Sequence, residues 1–161
     1  MMDELLSLIK ENPRLTNAEL AAALDRDEAQ VAQQLRQYEA DGVIKGYCAI
    51  LGIKKKPGDE TVTALIEIKV QPKFGHGFDD IARRIAALEE VESIFLMSGG
   101  YDLCCLVTDK SFQEVSMFVA SRLSPMEDVV STATHFILKK YKEQGMLFAQ
   151  KNTDDRGNIS L

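Results

Sequence analysis

The chain has 161 residues, enough for one medium domain or two small ones. Apolar residues make up 45% of it, ordinary for a folded protein, and no run approaches the roughly 18 residues that span a bilayer. The formal net charge of −6 excludes a protein that coats nucleic acid by bulk charge alone, but not one with a local reading head. Three cysteines form no metal-type spacing, and Cys104 and Cys105 are adjacent on an expected strand, so they point to opposite faces. A reducing cytoplasm is therefore expected, with no membrane association, no metal and no cofactor; the Met1-Met2-Asp3-Glu4 start lacks a secretory signal.

In chain order, residues 2–11 place Leu5, Leu8 and Ile9 at helical spacing, ending at Asn12-Pro13. Thr16 and Glu19 in "TNAEL" have the spacing of a capping box and open a second helix through Leu24. After Asp25-Arg26-Asp27 a third helix begins, with Asp27 and Gln30 at the same spacing. Val31, Leu35 and Tyr38 fall on one side as its buried stripe. Gly42 ends it, and "VIKGYCAIL" (43–51) reads as a strand. Three short helices and a strand make a winged helix-turn-helix, with a three-helix cap that never touches DNA as the alternative.

On this reading Gln30, Gln33, Gln34, Gln37 and Arg36 occupy the outer arc of the third helix. A glutamine amide both donates and accepts, which matches the N6 and N7 groups of adenine in the major groove. Residues 1–56 hold eight Lys/Arg against nine Asp/Glu, a net of about −1. Few phosphate contacts are thus available per head, and gathering several heads on one assembly would offset the deficit. "KKKPGDE" (54–60) is the expected hinge, its Lys54, Lys55 and Lys56 either solvated or placed to touch phosphates. The division is 1–53 head, 54–60 hinge, 61–150 second domain and 151–161 polar tail.

"TVTALIEIKV" (61–70) alternates Val62, Ala64, Ile66, Ile68 and Val70 on one face, which is strand periodicity. A helix is expected over 77–89, then strands 91–98 and 101–108 as a hairpin around Gly99-Gly100. Ser111 and Glu114 cap another helix, which carries Val115, Phe118, Val119 and Leu123 and stops at Ser124-Pro125. A last strand is expected over 129–142. The order βαββαβ gives a ferredoxin-like sheet with two helices on one face, so the fold class is α+β. Leu65, Phe95, Met97 and Leu106 remain on the uncovered face, which predicts a homodimer joined sheet to sheet.

"SGGYD" places Ser98, Gly99, Gly100, Tyr101 and Asp102 together: two bare amides suit a carboxylate, and Asp102 suits an ammonium group. Thr132 and Thr134 add hydroxyls, with His135 on the other face. A plain hairpin turn is the competing reading of the same residues.

The helix-turn-helix, the "GVIKGY" segment, the hinge and βαββαβ with "SGGYDL" at its hairpin together resemble the Lrp/AsnC family, the leucine-responsive or feast/famine regulators, over residues 2–150. The resemblance implies a cytoplasmic transcription regulator that binds double-stranded DNA. It also implies that dimers assemble further, to a tetramer or octamer, and that the second domain senses an amino acid or similar small metabolite. The chain departs from the family at Leu24-Asp25-Arg26-Asp27, where a small or glycine-containing turn is usual, and at Gln34 and Gln37, where arginines are common. Two rivals stay open. One is a DNA-independent sensing or partner-binding oligomer with a degenerate head. The other is an enzyme akin to haem-pathway decarboxylases, although His76 and His135 fall in different elements and form no catalytic set with Ser, Cys or Asp.

Overall fold

The computed structural model describes residues 3–51, 61–72 and 77–148, in two compact units, 1–51 and 52–161. The expected hinge lysines, His76 and the polar tail lie outside the described residues.

The first unit is a three-helix head: α1 (Glu4–Glu11), α2 (Asn17–Leu24) and α3 (Glu28–Ala40). Each begins on a side-chain cap. The Asp3 carboxylate accepts from the Leu5 amide, and the Asp27 side chain from that of Gln30. The full capping box forms at α2, with the Glu19 amide donating to Thr16 Oγ1 at 3.2 Å and the Thr16 amide to Glu19 Oε2 at 2.7 Å. These bonds satisfy amides that a helix start leaves without a carbonyl. Leu5, Leu20, Ala21 and Val31 are buried at the centre, with Leu35 and Tyr38 packed against them.

Gly42 closes α3 with φ +66, a conformation strained for any L side chain, and the Ile44 amide returns to the Tyr38 carbonyl. The strand expected over 43–51 does not form: no described residue pairs with this stretch, and a strand exists only through its neighbour's hydrogen bonds. The chain instead leaves α3 in an irregular path, with Tyr47 Oη donating to Glu39 Oε1 at 3.0 Å.

The second unit is the ferredoxin-like sandwich. Its sheet runs β2 (Val91–Leu96), β3 (Leu103–Asp109), β1 (Val62–Val70), β4 (Val129–Phe136), all neighbours antiparallel. Helices α4 (Phe78–Ala86) and α5 (Phe112–Phe118), the latter continued by one π-helical turn (Val119–Leu123), cover one face. Alternation along β1 buries Ala64, Ile66, Ile68 and Val70 against Ile81, Ile85, Val115, Phe118 and Leu123. Asp128, buried just before β4, is ion-paired with Arg84 of α4.

The last strand ends at Phe136 rather than 142. Beyond it a small hairpin, β5 (Lys142–Glu143) and β6 (Met146–Leu147), turns on Gln144 and Gly145, both at positive φ. The "KEQGML" signal for it is a residue–Gly pair between short runs, the pattern of a two-residue turn. The opposite sheet face carries Leu65 beside Leu106, with Phe95 53% and Met97 40% exposed.

Candidate DNA-reading head and effector loop

The turn into α3 is built by Asp25, which takes left-handed angles (φ 51, ψ 49) where a glycine would be unstrained. The next amide, of Arg26, donates to the Ala21 carbonyl at 3.0 Å, so the backbone leading into α3 is pinned to α2. With Val31 buried and Leu35 and Tyr38 half-buried, Gln30, Gln33, Arg36 and Gln37 are exposed. Gln33 lies three residues from Gln30 and from Arg36 and four from Gln37, so the four share one arc of the helix, and Arg36 at its edge also lines a shallow groove with Leu20, Leu35 and Tyr47. Gln37 Nε2 donates to Asp41 Oδ1 at 2.8 Å, an i,i+4 bond along the surface.

Gln34 is not on the outer arc, contrary to the periodicity-based expectation. It is half-buried, and its amide is engaged at both ends. Nε2 donates to Tyr38 Oη at 2.6 Å and to Asp3 Oδ2 at 3.2 Å; Oε1 accepts from Arg26 Nη2 at 2.6 Å. Tyr38 Oη also donates to Asp3 Oδ2, at 2.7 Å. The hydroxyl of Tyr38 first, then the Leu5 amide, hold the Asp3 carboxyl below its ordinary range, while the same carboxylate pushes the Tyr38 phenol up. The physical reason is position: Gln34 sits three residues from Val31 and four from Tyr38, so it borders the buried stripe. The i,i+4 pair of Gln34 and Tyr38 was visible in the sequence; Asp3, 31 residues from Gln34, was not.

In the second unit Ser98, Gly99 and Gly100 form an exposed connection between β2 and β3, closed by the Met97 amide donating to the Asp102 carbonyl at 2.8 Å. Gly99 has φ +156, and open space surrounds the position a Cβ would take. Tyr101 is half-buried, which pushes its phenol up.

Asp102 does not project as a free carboxylate. Its Oδ2 accepts from the Val70 amide at 2.9 Å and its Oδ1 from Lys69 Nζ at 3.1 Å, and these bonds, the amide first, hold its pKa below the usual range. Asp102 thus ties the hairpin to the end of β1, and the ammonium role read from the sequence is already filled by Lys69. The sheet end at which this loop lies is shared with Thr132, which pairs with Ile68, but β1 stands between Thr132 and β3. Thr132 and Thr134 share the helix-facing side of the edge strand. His135 lies on the open face opposite Leu65, its Nε2 3.6 Å from Glu67 Oε1 and three rungs from Thr132. Within one chain the loop and His135 are not brought together.

A helix-turn-helix with a capped, partly exposed third helix, followed by a ferredoxin-like sandwich with a glycine loop at its sheet end, defines a DNA-binding regulator with an attached ligand-binding domain. Residues 63–147 match the Lrp/AsnC ligand binding domain, and residues 4–45 match a winged helix-turn-helix DNA-binding model. The HTH-type transcriptional regulator YugG of Bacillus subtilis is 42% identical over 157 residues, 98% of this chain and 95% of its own. The leucine-responsive regulatory protein of Haemophilus influenzae is 22% identical over 144 residues, 89% of this chain and 86% of its own. Among solved structures, the transcriptional regulator NMB0573/L-Met complex from Neisseria meningitidis superposes with a TM-score of 0.70. It is 24% identical, covering 89% of this chain and 94% of that one. The chain belongs to the Lrp/AsnC family of transcription regulators.

Proposed function

We propose that this regulator binds duplex DNA through α3 and that an amino acid, or a metabolite with the same zwitterionic head, governs its assembly through the Ser98–Asp102 loop. The observation that carries the reading is the pairing of two exposed features: a capped reading helix in the head and the unobstructed Gly99-Gly100 backbone in the sandwich. The structure related at the Lrp/AsnC fold with L-Met bound supports an amino acid as the ligand class.

Gln30, Gln33 and Gln37 are placed to reach base edges, and Arg36 to reach the flank of the groove. The amides of Gly99 and Gly100 receive the ligand carboxylate, with Ser98 and Tyr101 beside it. Asp102 holds the loop in shape rather than meeting the ammonium. Thr132, Thr134 and His135 contribute only where a second copy brings them to the loop. The open face with Leu65, Phe95, Met97 and Leu106 joins two copies, and these dimers assemble further into tetramers or octamers. Clustered heads gain affinity by effective concentration, which a head of net charge about −1 needs. The protein acts without catalysis and in the cytoplasm. No helix among the described residues is long and apolar enough to cross a membrane.

A ligand shifts an assembly only through different affinities for its two states. A thermal-shift screen of the amino acids, with sizing of each positive, is therefore the test. One or a few amino acids should raise the melting midpoint by several degrees and change the sized species. If every amino acid leaves both readouts unmoved, the sensing role fails. Genome-wide DNA capture tests the head: recovery of no enriched sites would favour a sensor that works without DNA.

A further inference from the structure

The connection between α2 and α3 holds a cation whose placement the Gln34 cluster explains. Asp25, Asp27 and Glu28 crowd the entry to α3, and Arg26 is the one basic residue among them. In a helix-turn-helix this entry is where the protein meets the phosphate backbone as the first turn of the reading helix enters the groove. An exposed arginine side chain normally samples many rotamers, and ordering it costs free energy on binding. Arg26 is held at both ends instead. Its amide is bonded to the Ala21 carbonyl and its Nη2 to Gln34 Oε1. Gln34 is itself fixed, because its Nε2 is bonded to Tyr38 Oη and Asp3 Oδ2. A guanidinium has five N–H donors in a rigid fork, so on the exposed Arg26 one bond to Gln34, beside the Asp3 carboxylate whose charge it feels, leaves further donors for a phosphate.

We infer that Arg26 is a DNA-phosphate anchor preorganised by Gln34, and that Gln34 is a positioning residue rather than a base reader. The inference rests on the DNA-binding reading above. It also accounts for a head with so little positive charge: one oriented arginine per head, repeated over an assembly, replaces a diffuse basic surface.

The test is a double-mutant cycle on the full-length protein with two probes, a random-sequence duplex and a duplex selected from a random pool by the wild type. Binding is measured by fluorescence anisotropy over a salt series. Arg26→Ala should weaken binding to both probes and make the log–log salt dependence shallower by about one unit per engaged head. Gln34→Leu, which keeps bulk and removes the bonds, should weaken binding in the same sense but less. The double variant should bind no more weakly than Arg26→Ala alone, because Gln34 acts through Arg26. Melting midpoints of all variants separate this from loss of the head's fold, and Gln34→Met replaces Gln34→Leu if the latter melts early.

Additive losses, or a Gln34→Leu effect that relaxes preference at one base-pair position with the salt slope unchanged, would return Gln34 to base reading and overturn the inference. A wild-type slope retained by Arg26→Ala would overturn the anchor. Failure of the wild type to bind either duplex at low salt would instead defeat the DNA-binding reading itself.

Discussion

Two carboxylates decide much of this protein at the residue scale. Asp3 caps α1 and receives the Tyr38 hydroxyl, and its pKa is lowered in the folded state. A group whose folded pKa is depressed contributes stability above its unfolded pKa and loses it as pH falls through the folded value. The head should therefore loosen in acid, below the ordinary aspartate range, and Asp3→Asn should flatten that part of the pH–stability curve; circular dichroism of pH-equilibrated samples reads both. Asp102 performs the analogous task in the second unit. Asp102→Ala leaves the Val70 amide without its carboxylate, so exchange of that amide measured by NMR should accelerate and the effector-induced thermal shift should shrink. An unchanged Val70 amide would show that the loop is held by its backbone alone.

At the scale of elements, the helices of the head are short and depend on their ends. An isolated helix of eight residues, such as α1 or α2, is marginal, so caps and tertiary packing hold it. Thr16→Ala removes the capping box of α2 and should cost about 1 kcal/mol, measured by urea denaturation. Asp25 in the left-handed region makes a second prediction. Asp25→Val should destabilise by roughly 1–2 kcal/mol, because a β-branched side chain clashes there, whereas Asp25→Gly should be tolerated. In the sandwich, Ile66 is fully buried at the centre of β1 between both neighbouring strands and the helices, and Ile66→Ala should cost about 2–5 kcal/mol.

At the scale of the whole molecule, the two faces of the sheet have different fates. One is filled by α4 and α5; the other keeps Phe95 and Met97 exposed and Leu65 and Leu106 half-buried in the single chain. If a second copy covers that face, Phe95→Glu on its edge strand β2 should release monomers in analytical ultracentrifugation, and DNA affinity should fall with them because the heads lose their tether. A dimer that survives the substitution would move the interface elsewhere.

The periodicity of the chain by itself determined the three capped helices, the order βαββαβ and the buried side of β1. Those features arise from contacts between residues one to four apart, or from alternation along one element. The resemblance to the Lrp/AsnC family was carried by short motifs in the same sequence, and the family models and relatives showed the membership. Tertiary structure decided the rest. Gln34 looked like one more outward glutamine until Asp3 and Arg26 closed on it; Asp102 looked like an open ligand until β1 presented the Val70 amide and Lys69. Whether 43–51 pairs, and where the last strand ends, depended likewise on neighbours distant in sequence. A side chain's pattern fixes which face it occupies, but its free hydrogen-bonding capacity is set by groups the fold brings to it from elsewhere in the chain.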